Sequence, residues 1–294
     1  MTRKQTVVKT VTLTGLAMIA FAANSLLCRM ALGGSLIDAA SFTTLRLVAG
    51  ALTLWLIVAA VHHAKVPRQG DWIAAAMLFL YAIGFSLGYV SLSVGTGALI
   101  LVGAVQFTML AIGLREGERF ALLSWAGFAL AAAGLVYLVS PGLTAPAPVG
   151  ASMMVISGIA WGIYTLRGRG VADPLLATSG NFLRTVPITI VASLLFLSNM
   201  HAQWLGMALA IVSGAIASGV GYVIWYAALR GLTAARAAAV QLAVPVMIAF
   251  GGALFLSEPV TLRLLIASAA ILGGLGLVLL QRSARAVPPA AHAD

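Results

Sequence analysis

Long apolar segments alternate with short polar breaks along the whole chain. Read between charged residues and Pro or Gly breaks, they predict ten helices, at about 10–31, 39–61, 71–92, 96–114, 120–139, 149–167, 175–197, 204–228, 234–256 and 261–281. Most are close to the roughly 20 apolar residues that a helix needs to cross a bilayer. The breaks are too short to hold a soluble domain. The pattern therefore predicts an all-α integral membrane protein with ten transmembrane helices.

Composition supports a membrane protein over a soluble one. Of the 294 residues, 62% are hydrophobic and only 8% are charged, whereas a soluble domain carries roughly 25% charged residues. The chain therefore lacks the polar side chains to cover a water-facing surface, and the lipid bilayer is its expected surrounding. The net charge of +10 comes from Lys and Arg in short loops rather than from one continuous basic face, so no nucleic-acid partner is expected.

The positions of Lys and Arg predict the orientation of the chain. With the N-terminus in the cytoplasm, thirteen of them fall on the cytoplasmic side, and only Arg29 and Arg263 fall on the other. This asymmetry is typical of membrane proteins and requires an even number of helices, so both termini are predicted to be cytoplasmic. The first segment is similar to a signal peptide as far as Ala22. We expect it to remain as a helix because it has a counterpart later in the chain.

The second half of the chain repeats features of the first at an offset that drifts only from 137 to 140 residues. Residues 84–92 correspond to residues 221–229, and the matched single residues are Thr96 with Thr233, Arg29 with Arg167, Arg46 with Arg184, Glu118 with Glu258 and Gly134 with Gly274. With five helices in each half, the two copies must enter the membrane from opposite sides. The sequence therefore predicts two inverted five-helix repeats, residues 1–140 and residues 141–294 with a short C-terminal tail.

Several of these matched residues resemble one transporter family. They are the Arg in the second helix of each half (Arg46, Arg184), the Glu that opens each last hairpin (Glu118, Glu258), Pro259, Thr261, Pro245 and the Gly273–Gly274 pair. Through them the chain resembles the drug/metabolite transporter (DMT) superfamily in its EamA form, and it is most similar to the YddG-type exporters of aromatic and neutral amino acids. The resemblance covers essentially the whole chain.

That resemblance implies a secondary transporter in the bacterial inner membrane. It would export small neutral or zwitterionic metabolites by alternating access and without a cofactor. Aromatic or neutral amino acids are the expected substrates. An exporter of drugs or other metabolites from the same superfamily is the alternative within this class, and an integral-membrane enzyme is the alternative from another class.

The chain offers little chemistry for an enzyme. Every Asp and Glu falls near a predicted helix end, none of the four His is in mid-helix, and Cys28 is the one cysteine. We therefore expect no catalytic residue, no metal site and no proton relay through a buried carboxylate. Glu118 and Glu258 are interpreted as helix caps or as ion pairs with Arg119 and Arg263.

The remaining polar and aromatic residues inside the helices predict a substrate site. Arg46 and Arg184 are expected to bind helix-end carbonyls or to reach the membrane interface, with contact to substrate as the alternative. The structural reading leaves a neutral cavity. Amide side chains suit an α-amino or α-carboxylate group, and an aromatic wall suits an apolar side chain. The candidates are Asn24, Ser25, Tyr81, Gln106, Trp161, Tyr164, Tyr222, Trp225 and Gln241.

Structural alternatives stay open for these residues. The amides can join one helix to another, and the rings of Trp161 and Tyr164 can pack on lipid or on a neighbouring helix. The fifth and tenth helices are almost entirely apolar. They are predicted to be peripheral braces or a homodimer surface.

Overall fold

The computed structural model describes residues 3–62, 69–115, 117, 121–142, 145–168, 171–232 and 240–285. Ten named helices fill most of this part of the chain: α1 Arg3–Gly33, α2 Ala39–His62, α3 Trp72–Ser91, α4 Val94–Arg115, α5 Leu122–Val139, α6 Pro148–Arg167, α7 Pro174–Leu195, α8 Trp204–Leu229, α9 Ala243–Leu256 and α10 Leu262–Arg285. Within these ranges, Ile37 and Ala202 form an isolated antiparallel β-bridge.

Eight of the helices in the described residues, α1 to α8, are long and apolar enough to cross a membrane. Two further apolar helices, α9 and the Leu262–Val278 part of α10, are shorter. The all-helical membrane class is thus confirmed, and the helix limits agree with the predicted ones to within several residues. The first part of the predicted ninth helix, residues 233–239, lies outside the described residues.

Local sequence explains several helix starts. The side chain of Asp71 accepts hydrogen bonds from the amides of Ile73 and Ala74, and that of Asp173 does the same at the start of α7. These carboxylates satisfy amide groups that no helix residue can pair with. Pro174 follows Asp173 at the first helical position, where its missing N–H costs nothing.

Helix α8 contains a wider turn in its middle. Its residues Ser213–Val220 form a π-helix between two α-helical parts, Trp204–Val212 and Gly221–Leu229. π-Helical turns are rare and occur frequently at functional sites. Five small residues in this segment are buried: Ser213, Gly214, Ala217, Ser218 and Gly219.

Glycines bring several helices into close contact. The Cα of Gly214 faces the carbonyl oxygen of Arg46, which fixes the crossing of α8 and α2. Gly127 and Gly274 face each other's carbonyl oxygens where α5 crosses α10. Helices α5 and α10 pack mainly on each other and touch the rest of the bundle through α4. This peripheral position agrees with the prediction that they are braces.

Candidate substrate site

Aromatic rings from three helices meet inside the bundle. The ring centroid of Tyr81 (α3) lies 4.6 Å from that of Trp161 (α6), which is 5.3 Å from Tyr164 and 6.0 Å from Tyr222 of α8. Tyr81, Tyr164 and Tyr222 are buried, and Trp161 is partly buried. These separations are typical of favourable aromatic pairs. We call these four residues the ring cluster.

Further rings extend the cluster towards α1 and α7. Tyr222 lies 6.1 Å from Phe182 and 5.9 Å from Phe21, measured between ring centroids. Phe21 in turn lies 5.8 Å from Trp225. All five aromatic residues that the sequence suggested for the site are thereby connected through ring contacts within one region.

The amide and hydroxyl candidates have different surroundings. Asn24 accepts a hydrogen bond of 2.7 Å from the hydroxyl of Ser213, which joins α1 to the π-helical part of α8. Ser25 is buried. Gln106 is half-buried in α4, whereas Gln241 is exposed just before α9. The sequence left two roles open for Asn24, substrate contact and a hydrogen bond between helices. In the structure Asn24 makes the hydrogen bond between helices.

Arg46 is placed differently from the expectation. Only 3% of it is exposed, and its Nη2 donates a 3.3 Å hydrogen bond to the hydroxyl of Tyr81. Its guanidinium carbon lies 5.5 Å from the centre of the Tyr81 ring and 5.2 Å from that of Phe85. Nη1 is buried and has no hydrogen-bond partner among the described residues. The site is therefore not neutral, because a cation contacts the ring cluster.

The repeat counterpart of Arg46 behaves as the sequence predicted. Nη1 of Arg184 donates to the carbonyl oxygens of Gln69 at 3.0 Å and of Gly180 at 2.9 Å. The two matched arginines thus have unlike roles. Both arginines lie two or more turns inside an apolar helix, so the sequence marks both positions as costly and does not separate their roles.

One ion pair ties together the segments around the start of α4. Nε of Arg29 lies 2.7 Å from Oε1 of Glu258, while Oε2 accepts a 2.7 Å hydrogen bond from the amide of Val94. Nη1 of Arg29 also donates to the carbonyl oxygens of Tyr89 and Val90 at the end of α3. We call this set the Arg29–Glu258 clamp.

The clamp corrects the predicted partner of Glu258. Arg263 does not pair with it but donates to the carbonyl oxygens of Ser140 at 2.7 Å and Pro141 at 3.3 Å. The interpretation of Glu258 as a cap and ion-pair residue was right in kind, because it caps α4. Glu118 and Arg119 lie outside the described residues.

A second ion pair, Arg167 Nε to Asp71 Oδ2 at 3.0 Å, joins the end of α6 to the start of α3. Partial burial raises the pKa of Asp71, but the hydrogen bonds from Arg167 and from the Ala74 and Ile73 amides outweigh it and hold the pKa below its usual value. Both side chains are about two-fifths exposed, at 41% and 43%. Such an exposed pair adds little to stability.

No group of three His, Cys, Asp or Glu that could hold a metal ion occurs in the part of the chain that the structure describes.

Comparison with known proteins gives the class of the chain. The profile of the EamA-like transporter family matches residues 148–280. Protein PA1977 of Pseudomonas aeruginosa is 51% identical over 278 residues, which cover 95% of this chain and 97% of that protein. An "uncharacterized transporter" of Archaeoglobus fulgidus is 27% identical over 69% of this chain and 74% of its own length.

One further relative and one solved structure are also similar to this chain. The inner membrane transporter YedA of Escherichia coli K12 is 26% identical over 64% of this chain and 60% of its own length. A protein crystal structure superposes with a TM-score of 0.63 at 18% identity, over 94% of this chain and 99% of that one, and so shares the fold.

Membrane-length helices together with these relatives define a multi-pass membrane transporter for small molecules. Residues 148–280 form a domain of the EamA-like transporter family, which together with the relatives named transporters assigns the chain to the drug/metabolite transporter superfamily.

Proposed function

We propose that this transporter exports small neutral or zwitterionic metabolites, foremost aromatic and other neutral amino acids, by alternating access. The observation that carries the proposal is the ring cluster, which α3, α6 and α8 form inside the bundle. Rings of this kind suit an apolar side chain of modest size. The match to a transporter family favours transport over an enzymatic function.

Helix packing supports two inverted repeats as the moving units. Helix α3 packs on α6, and its counterpart α8 packs on α1, while α2 pairs with α7 and α5 with α10. The match extends to single residues. A Cβ on Gly84 would lie 3.3 Å from that of Ser157, and one on Gly221 would lie 3.0 Å from that of Ala20. These four residues correspond at an offset of 137, as an internal two-fold relation requires.

The Arg29–Glu258 clamp is proposed to hold one side of the transport path closed. It connects α1, the end of α3 and the start of α4 with the loop before α10. In the predicted orientation this side is extracytoplasmic. Opening towards that side would require the ion pair between Arg29 and Glu258 to break. The two side chains are 21% and 14% exposed, so water can reach both charges when the pair separates.

Both termini are expected to be cytoplasmic. Reporter fusions at Asp294 and in the loop 140–148 test this with paired enzymes, one active in the cytoplasm and one active in the periplasm. We expect cytoplasmic activity at Asp294 and periplasmic activity in the loop. Periplasmic activity at Asp294 would contradict the orientation and the inverted repeat with it.

Transport itself is tested with purified protein in proteoliposomes, with and without a pH gradient. We expect uptake of labelled phenylalanine, tryptophan and other neutral amino acids above that of protein-free vesicles. Charged amino acids should be transported poorly. Absence of transport for all twenty labelled amino acids would contradict the proposed substrate class.

A further inference from the structure

Arg46 carries a charge without a counterion in the described part of the chain. A guanidinium stays protonated in proteins, and burying such a charge without a partner is expensive. The described carboxylates are engaged elsewhere: Asp38 with Ser41 and His201, Asp71 with Arg167, Asp173 at the start of α7, and Glu258 with Arg29. The buried Nη1 of Arg46 has no hydrogen-bond partner there.

The surroundings of Arg46 indicate what such a partner carries. One side of the guanidinium is covered by the rings of Tyr81 and Phe85. Tyr81 is also a member of the ring cluster, 4.6 Å from Trp161. A molecule bound to Nη1 would therefore place its remaining atoms beside aromatic rings.

We propose that Arg46 binds the carboxylate of the substrate and that the site selects monocarboxylates with an apolar or aromatic body. This rests on the proposed location of the substrate site. Arg46 offers one positive charge and one nitrogen without a hydrogen-bond partner, which matches the single negative charge of a carboxylate. A phosphate ester carries more negative charge and more acceptor oxygens, so its binding requires several donors. No described carboxylate lies at the ring cluster to pair with an α-ammonium group. The carboxylate, and not the amino group, is thus the charge that the site requires.

Binding of the carboxylate also accounts for the unlike roles of the matched arginines. Arg184 satisfies its Nη1 with two backbone carbonyl oxygens, whereas Arg46 keeps a buried donor free. The inverted repeat therefore supplies one structural arginine and one that is available to substrate. Arg184 is the matched control for Arg46, because it has the same charge at the corresponding position of the other half.

The test uses two readouts on full-length protein. The first is counterflow of labelled phenylalanine in proteoliposomes, with competition by 3-phenylpropanoate, phenylalaninamide and phenethylamine. The second is the thermal stability of detergent-solubilised protein with each of these four compounds. Both are measured for wild type, Arg46→Gln, Arg46→Lys and Arg184→Gln.

For wild-type protein we expect phenylalanine and 3-phenylpropanoate to compete and to stabilise. The two compounds without a carboxylate should bind about ten- to a hundredfold more weakly, as for loss of a hydrogen bond to a charged group. Arg46→Gln should weaken the binding of phenylalanine and of 3-phenylpropanoate by a similar factor, so that the preference for compounds with a carboxylate is lost. Arg46→Lys should restore part of this preference. Arg184→Gln should retain it in full.

The outcomes separate this inference from the proposed function. If phenylalanine is transported but the amide competes as well as the acid in wild type, the carboxylate role is wrong and the transport proposal stands. The same holds if Arg46→Gln retains the preference for the acid. If no amino acid is transported but carboxylates stabilise wild type in a manner that depends on Arg46, the binding role stands and the transport proposal is wrong. Even if the Arg46 variants fail to fold, equal competition by the acid and the amide in wild type contradicts the inference.

Discussion

Replacing Gly274 by valine should prevent α5 and α10 from packing, while the same change at the adjacent Gly273 should be tolerated. A Cβ at position 274 would collide with the carbonyl oxygen of Gly127 and lie 2.8 Å from the amide nitrogen of Ala131. Backbone atoms cannot move aside as a flexible side chain can, so the helices must separate. At Gly273 no heavy atom lies within 4 Å of the added Cβ.

We expect Gly274→Val to destabilise the protein by about 3 kcal/mol, at the upper end for overpacked sites. Gly273→Val should change the stability by less than about 0.5 kcal/mol, as at an exposed position. Thermal unfolding in detergent, with the amount of folded protein measured by size-exclusion chromatography, compares the two variants. Equal losses would show that the α5–α10 crossing is not built on Gly274.

Glu258→Gln should weaken the clamp without removing the response to a pH gradient. Glutamine can still accept the hydrogen bond from the amide of Val94, but it cannot form the ion pair with Arg29. Loss of a partly buried hydrogen bond between charged groups costs about 1.5–3 kcal/mol. We therefore expect lower thermal stability and an altered rate of exchange. Transport should depend on the pH gradient as in wild type, because Glu258 is bonded at a helix end rather than in mid-membrane.

Asp71→Asn is the matched control. It removes the exposed ion pair with Arg167 but keeps an N-cap residue that α3 accepts. The loss in stability should be below about 1 kcal/mol, as for exposed pairs. Suppose instead that Glu258→Gln abolishes the pH-gradient dependence while downhill exchange continues. Glu258 would then be a proton-coupling site, contrary to the interpretation of it as part of a clamp.

Helix positions could be predicted from the sequence because hydropathy is a local property. A segment such as 72–91 is strongly hydrophobic and carries no charged residue, and a bilayer requires each crossing segment to satisfy its own backbone. The repeat also indicated that some aromatic candidates lie on corresponding helices. Tyr81 and Tyr222 each lie on a helix that the repeat identifies as a counterpart of the other.

Partners across the bundle could not be predicted in the same way. Glu258 pairs with Arg29, 229 residues away, rather than with the nearby Arg263. The repeat suggested that Arg46 and Arg184 share one role, yet only tertiary packing decides which of them finds backbone carbonyls. The π-helical part of α8 likewise leaves no simple sequence pattern, and it includes Gly214, which packs closely on α2.

The central claim is that the ring cluster forms the substrate site. It is tested most directly by the ratio of phenylalanine to alanine transport in proteoliposomes, measured for wild type, Trp161→Ala, Tyr164→Ala and Trp204→Ala. Trp204 is the matched control, since it is 77% exposed at the start of α8. Its substitution should leave the ratio unchanged.

Removing a ring that contacts an aromatic substrate should cost phenylalanine about 1 kcal/mol or more of binding, or roughly fivefold, and should cost alanine much less. We therefore expect the ratio to fall about fivefold in Trp161→Ala and in Tyr164→Ala, in protein that elutes and melts as a folded species. If both variants fold and transport with an unaltered ratio, the rings serve only helix packing and the substrate site is elsewhere.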